Sequence, residues 1–566
     1  MMGKKSFKRI AMTALLSTAL LTMSAGSIEA KQPKGEWLSG DFHQHTYYTD
    51  GSTTFDFVMQ QNNEFGLDWW ANSEHGGNRN RDGDGNFWDD TTIYPTNPIL
   101  GKVTNSGGHQ VMWRWQSLRD FAYPDILETR EMYPEKRIFS GLEWNVPGHE
   151  HCSVGVVSEI MGPLAISAFE FRFDKSDSDT SRVGEWTPFG TLTKKNGRNA
   201  DQSANKPTGI ERHADAVAAS EWMQAQYDAG TLDNSWIIFA HIERAGVFKT
   251  SSSDGGYNIE HFRDFNNAAP DVCFGFEGAP GHQVNNDRGF GNSITCVDGV
   301  CTSQDFGGTY GGVGYYSAKV GGLWDALLGE GRRWFNYANS DYHSHYTAGG
   351  DDFYPGEYQK THVYAMDSDR DGEYSLNEIA DGLRSGNVYF VHGDLISHLE
   401  FMARSRFQAA SMGGELIIKD RRWSREPLVL TIKFKSPSVN NNGDSPVVDH
   451  VDLIAGEIKG KVDPSSPDYT KATNETTKVI ATFTADDWRV DRDGYKIITY
   501  RIDDLDKSMY FRLRGTNLAR NTPFETDAEG NPLADALVTQ NLRIDGAEEA
   551  WADLWFYSNP IFVYVK

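Results

Sequence analysis

Metal-ligating residue types recur along the first 343 residues, and each stands beside an apolar stretch that reads as a strand. The opening cluster is Asp41-Phe42-His43-Gln44-His45, followed by Thr49-Asp50-Gly51 and then Ser73-Glu74-His75. Glu143, His151, His241, Asp341 and His343 follow at long intervals. Alternate strand residues point the same way, so His43 and His45 can hold one ion between them. Ligands at the ends of separate strands meet only if the sheet brings those ends to one mouth, as parallel α/β barrels do. The spacing predicts a multi-metal hydrolase. A lone histidine is most often a surface or core residue, and Glu74, His149, His213, His261 and His282 are read that way.

The amino terminus carries Lys4, Lys5, Lys8 and Arg9, then an apolar run from Ile10 to about Met23 and the small residues Ser24-Ala25-Gly26-Ser27. That order predicts a signal peptide over residues 1–30 and a secreted or periplasmic protein. The run falls short of the roughly 20 apolar residues of a membrane span, and no later segment qualifies. The formal charge is −25, and loss of residues 1–30 makes it −28. Such a surface makes a nucleic-acid duplex a poor partner. Screening beyond roughly 10 Å leaves room for a small anionic substrate at a metal site. Of four cysteines, Cys296 and Cys301 bracket a turn-forming stretch and are expected to pair; a Cys152–Cys273 bridge is the weaker expectation.

From Trp37 to about Tyr389, short apolar runs alternate with helical stretches, which predicts βα units. Phe55, Val58, Met59 and Asn62 fall at helical spacing, as do Ala214, Val217, Ala218 and Trp222 ahead of the run Trp236–His241. Residues 76–108, 172–209 and 281–314 are rich in Gly, Asn, Asp and Ser and read as long insertions of the kind that shape a substrate site. After about Asp394, strand-like runs separated by polar turns predict an antiparallel β-sandwich, and the last run, Pro560–Val565, is a candidate to return to the first unit. The expected division is 31–394 and 395–566.

The order and context of these residues resemble the PHP (polymerase and histidinol phosphatase) family of metal-dependent phosphoesterases over roughly residues 37–395. His43-Gln44-His45 with Thr49-Asp50-Gly51 is similar to the family's His-x-His and Ser-Asp-Gly, and Ser73-Glu74-His75 to its Thr-Asp-His with Glu in place of Asp. Gly141-Leu142-Glu143-Trp144 resembles the strand with the bridging Glu. His241-Ile242-Glu243-Arg244 resembles Ala-His-Pro with Ile for Pro, and Ser340-Asp341-Tyr342-His343 matches Ser-Asp-x-His. The resemblance implies an α/β fold, a distorted (β/α)7 TIM-like barrel, with two or three divalent ions. By motif, His43, His45, Glu143 and Asp341 would hold one ion. Glu143 would bridge to a second held by His151 and His241, and Asp50, His75 and His343 would hold a third. In Gly148-His149-Glu150-His151-Cys152 two histidines compete, and the strand-like run after His151 favours it. Glu277 is read as lying behind the ligands. Zinc, manganese and iron all suit these donors.

Three divalent ions bring roughly +6 against about −3 from the carboxylates, a positive field for an anionic ester. The expected reaction is hydrolysis of phosphomonoesters or phosphodiesters by a metal-bridged hydroxide at Glu143, with Arg244 holding phosphate. A surface ion pair is the plain alternative for Arg244. Rival readings are carboxyl or carbamate ester hydrolysis on the same ions, or a non-catalytic, calcium-stabilised surface binding protein.

Asp367 to Glu378 fits the twelve-position EF-hand loop, with Asp367, Asp369, Asp371, Ser375 and Glu378 as side-chain ligands, a carbonyl at Glu373 and Gly at Gly372. A strand over 361–366 and a helix over 377–385 flank it, so calcium would fix a strand-to-helix connection. Asn80-Arg81-Asp82-Gly83-Asp84-Gly85 is a partial match that reads better as a solvated acidic loop.

Overall fold

The structure is a computed structural model that describes residues 34–158, 160–248, 255–286, 288–289, 294–303, 308–406, 408–419 and 426–566. The expected signal peptide lies outside them. Among the described residues, no helix is long and apolar enough to cross a membrane.

Mixed α/β structure is organised on a 15-stranded sheet. Its first seven strands are β1 (Gly35–Asp41), β2 (Trp69–Asn72), β3 (Arg137–Asn145), β4 (His151–Val157), β5 (Asn234–Phe239), β6 (Gly275–Ala279) and β7 (Phe335–Ala338), hydrogen-bonded in that order. The pairs β1–β2, β2–β3, β5–β6 and β6–β7 are parallel. Strand β4 is antiparallel to both neighbours. Unbroken βα alternation is therefore not what forms. The turn from 146 to 150 is too short for a parallel crossover, which needs a dozen or more residues, so β4 folds straight back on β3 with Asn145 opposite His151. Beyond the strands, Gln44 bridges to Tyr342 in parallel and the His45 amide donates to the Tyr342 carbonyl at 2.8 Å. That bridge joins the extension of β1 to that of β7.

Helices α1 (Phe55–Glu64), α2 (Tyr123–Met132), α3 (Gly162–Phe173), α4 (Gly209–Asp228) and α5 (Ile259–Ala268) connect the strands. In α1 the expected face, Phe55, Val58, Met59 and Asn62, is buried. In α4 it is not: Arg212, Asp215, Ala216, Ala219, Ser220, Met223 and Gln224 are buried, whereas Ala214 is exposed. The polar insertion from 172 to 209 covers this helix, and its backbone needs partners. Asp215 accepts the Gly197 amide at 2.9 Å, and Arg212 donates to the Lys206 carbonyl at 2.7 Å.

The sheet continues through β8 (Gln359–Met366) and β9 (Val388–His392), with α6 (Leu376–Ser385) between them, and then into the last third of the chain. There β10 (His398–Arg404), β11 (Leu428–Lys435) and β12 (Lys496–Ile502) belong to a separate five-stranded antiparallel sheet. Leu399, Phe401, Leu430, Ile432 and Phe434 from it share one apolar core with Val451, Leu453, Phe511, Leu513 and Val563 from the large sheet. The final strand, Ile561–Val565, alternates between cores: Ile561 and Val563 face this one, and Phe562 faces the main core. Its packing follows the period of two.

Aromatic rings fill the interior below the strand ends. Phe42 lies 6.2 Å from Trp69, 6.0 Å from Trp236 and 5.7 Å from Tyr337, and Phe139 lies 5.0 Å from Trp236. Two glycines make room for these indoles: a Cβ on Gly40 would stand 2.0 Å from Trp69, and one on Gly155 2.1 Å from Trp236. Cys296 and Cys301 form the expected disulfide, whereas Cys152 and Cys273 are free and buried. Gly40→Ala and Gly155→Ala should each lower unfolding free energy by about 1–3 kcal/mol through overpacking. Urea titration checks this, and unchanged midpoints would refute the steric account.

Candidate metal centre

Six of the seven strands run the same way, so residues just past β1, β2, β5, β6 and β7 stand at one end of the sheet with the last residues of β3. These are His43 and His45, His75, His241, His282, and Asp341 with His343, together with Glu143. Strand β4 contributes its amino end there because it is reversed, which is how His151 joins the group.

All nine expected ligands meet. Glu143 is fully buried and lies within reach of five imidazoles: His151 Nδ1 at 2.7 Å, His75 Nδ1 at 2.8 Å, His241 Nε2 at 3.0 Å, His45 Nε2 at 3.2 Å and His43 Nε2 at 3.3 Å. Asp341, equally buried, lies 3.1 Å from His43 Nε2, 3.2 Å from His45 Nε2 and 3.2 Å from His241 Nε2. Asp50 stands on the open side, 3.2 Å from His75 Nε2 and 3.5 Å from His343 Nε2.

Sequence reasoning missed His282. Its Nε2 lies 3.0 Å from Asp341 and its Nδ1 2.7 Å from Asp352, and with Asp341 and His343 it forms a further potential ligand group. Its place after β6, matching His241 after β5, was the available signal. His241, His282 and Asp341 all have left-handed backbones, with φ of 51°, 58° and 46°. Non-glycine residues adopt that region at a cost and cluster there at functional sites.

A surrounding layer fixes the rings. Glu277 Oε2 is 2.9 Å from His43 Nδ1, and its other oxygen accepts from Ser153. The Asp341 carbonyl is 2.8 Å from His343 Nδ1. Asp41 accepts the amides of His43 and Ser340, tying β1 to the Asp341 segment, and burial raises its carboxyl to about 7 despite those bonds. Glu74 is structural: it accepts the Thr46 and Thr49 hydroxyls and the Asn72 amide.

These donors fit divalent ions. His43 Nε2, His45 Nε2, His75 Nδ1, Glu143 Oε2 and both Asp341 oxygens are buried and make no well-directed hydrogen bond, although they crowd one another. Buried polar atoms rarely lack partners. Lone pairs aimed at a common point are what a cation needs. Burial opposes charge throughout, yet the surrounding histidines hold Glu143 and Asp341 well below the usual carboxylate range. Against the same desolvation, acidic neighbours raise His45 to about 9 and His75 to about 10, whereas burial pushes His343 down to about 4.

Arg244 places one guanidinium nitrogen 2.9 Å from His241 Nδ1 and 3.9 Å from Asp341. Arg79, from the first insertion, lies 3.5 Å from Asp50. His75, Asn78, Arg79, Asn145, His151 and Ser176 line a cavity of about 220 Å³ beside the cluster. A larger cavity of about 770 Å³, lined by Arg137, Val157 and Asp233, opens at the opposite strand ends, and among its described lining residues Asp233 is the one carboxylate and there is no histidine. Convergent chemistry outweighs size here.

No family model matches the chain, and no curated protein matches it. Among solved structures it is similar to a two-domain protein from Bacteroides vulgatus that contains a predicted PHP-like metal-dependent phosphoesterase. The identity is 11% and the TM-score 0.31, over 88% of this chain and 94% of that one. At that level of likeness the chemistry has to be read from the side chains.

Glu277→Ala removes the acceptor that sets the His43 tautomer. It should weaken metal binding about 10–100-fold with an unchanged far-ultraviolet circular dichroism spectrum. Equal affinity by competition with a chelator would show that Glu277 does not position His43 for ligation.

Proposed function

We propose that the chain is an exported, PHP-type, metal-dependent phosphoesterase acting on phosphomonoesters or phosphodiesters. The observation that carries this reading is the convergence of imidazoles and carboxylates from seven strand ends, with buried, unpaired ligand atoms at those of β1, β2, β3 and β7. In this reading residues 31–394 form the hydrolase unit as a distorted seven-stranded barrel, supported by the strand order and the Gln44–Tyr342 bridge, and residues 395–566 form a β-sandwich. Export rests on the basic, apolar and small-residue order of the first 30 residues.

His43, His45, Glu143 and Asp341 would hold one zinc, manganese or iron ion, consistent with their forming one compact donor group. Glu143 would bridge to a second with His151 and His241; Asp50, His75 and His343 would hold a third. Bound there, such ions supply Lewis acidity and a positive field to a phosphoryl group. The chain does the positioning. Glu277 and the Asp341 carbonyl take the outer ring protons of His43 and His343, leaving Nε2 of each free to ligate. Arg244 and Arg79 flank the cluster with half-exposed guanidinium groups suited to phosphate oxygens. The polar cavity beside His75 and His151 gives the ester a place next to the donors.

Calcium in the loop from Asp367 to Glu378 belongs to the same proposal. Strand β8 and helix α6 flank the loop as expected. Gly372 takes a φ of 95° and donates to Asp367, and Glu378 accepts from both Ser368 and Ser375. Asp82, by contrast, accepts from Asp84, Asn86 and Tyr94, which accounts for the second acidic loop without an ion.

Metal-loaded protein should hydrolyse aryl phosphate or bis-aryl phosphate and lose that turnover in His43→Ala. Arg244→Ala should lower kcat/KM about tenfold or more, equivalent to about 1.4 kcal/mol. Turnover of aryl carboxyl esters alone would replace the phosphoesterase reading. Calcium at about 100 times its Kd should add about 2.7 kcal/mol of stability, and Asp371→Ala should abolish the gain; identical melting with and without calcium would remove the ion from the loop.

A further inference from the structure

His149, His213 and His261 come together outside the centre already described, with one ring nitrogen of each within 4.8 Å of the others. They arrive from three elements: the turn between β3 and β4, helix α4 and helix α5. We propose that this cluster is a separate site for one zinc-type divalent cation, held by imidazole ligands.

Hydrogen bonding on the outside of the cluster supports this. His149 Nδ1 faces the Gly256 carbonyl at 3.4 Å, and His213 Nε2 faces Asp264 at 3.2 Å. Both partners are acceptors, and with the ring protons on those outer nitrogens the inner atoms, His149 Nε2 and His213 Nδ1, which stand 2.8 Å apart, are both free to ligate. An ion between them takes the place of the single hydrogen bond that otherwise joins the two rings. Metal–nitrogen bonds of about 2.0–2.1 Å place tetrahedral ligand nitrogens about 3.3 Å apart, so the rings need part by only about half an ångström. Ligating histidines typically hold their other N–H on a carboxylate or carbonyl, the arrangement seen here. Asp264 is itself fixed by the Tyr469 hydroxyl at 2.6 Å.

The three ligands are not equal. His261 Nδ1 accepts the Asn258 amide at the start of α5, 3.0 Å away. Ligation through its other nitrogen moves the ring proton to Nδ1 and gives up that bond, so His261 is the weakest of the three. An all-imidazole set selects zinc, copper or nickel over calcium or magnesium. His149 is buried, and the His213 side chain is 15% exposed, which gives an ion a way in. His149 stands two residues before His151, so an ion here would pin the turn that delivers His151 to the phosphoesterase centre.

Diffraction from zinc-loaded wild-type crystals at the zinc edge should show an anomalous peak between the three rings. In solution, a His43→Ala/Glu143→Ala/His75→Ala protein, in which each of the three ions proposed for the main centre loses a ligand, should retain one zinc per chain after dialysis. Adding His213→Ala should release it, and adding His261→Ala should weaken it less. Circular dichroism of each variant guards against unfolding, and the crystal experiment needs no variant. An empty cluster in the anomalous map, or zinc retention unaffected by His213→Ala, would overturn the proposal. Failure of phosphate-ester turnover with a peak at this cluster would count against the phosphoesterase reading alone.

Discussion

Two carboxylates without access to water, Glu143 and Asp341, set the terms for everything above the strand ends. Isolated buried charges are expensive, and removing one partner from a buried pair costs about 3–5 kcal/mol. The chain answers by gathering imidazoles around both: five about Glu143, and His43, His45, His241, His282 and His343 about Asp341. Each histidine comes from a different stretch of chain or from alternate positions of one strand end. The sheet beneath must therefore be registered before the cage can form.

That register is set by strand direction and by bulk. The short turn after Asn145 reverses β4 and places His151 at the same end as the carboxyl-terminal residues of its neighbours. Indole and phenyl rings packed under Phe42 leave no room for the strands to slide, and Gly40 and Gly155 are the points where backbone yields space to them. Asp41 then ties β1 to the segment bearing Asp341 by accepting the Ser340 amide, while its other oxygen accepts the nearby His43 amide. Strained backbone at His241, His282 and Asp341 is held by this surrounding structure.

The last third of the chain extends the same sheet. Strand β9 pairs with Trp555–Ser558, and Phe562 reaches the main core while its neighbours face the second one. Buried Arg512 pairs with Asp325, which lies between β6 and β7, adding a charged tie to the apolar one. These contacts make the later strands a support for the unit that carries the cage.

Much was legible in the sequence because the relevant signals are local. Short apolar runs marked the strands, His43 and His45 declared a shared direction, the flanks of the acidic loop at Asp367 were readable, and Cys296 and Cys301 bracketed their own turn. Which histidines are neighbours is not local information. His282 and the trio of His149, His213 and His261 look like isolated residues until strands and helices far apart in the chain are packed together. The buried face of α4 likewise depends on an insertion covering it, which no periodicity records. The sequence by itself set nine ligand-type side chains beside strand-like runs and put His43 and His45 on one side, because backbone geometry repeats every two residues. Only the tertiary structure decided which of them share a point in space, because that depends on the direction of β4 and on how distant segments close over one another.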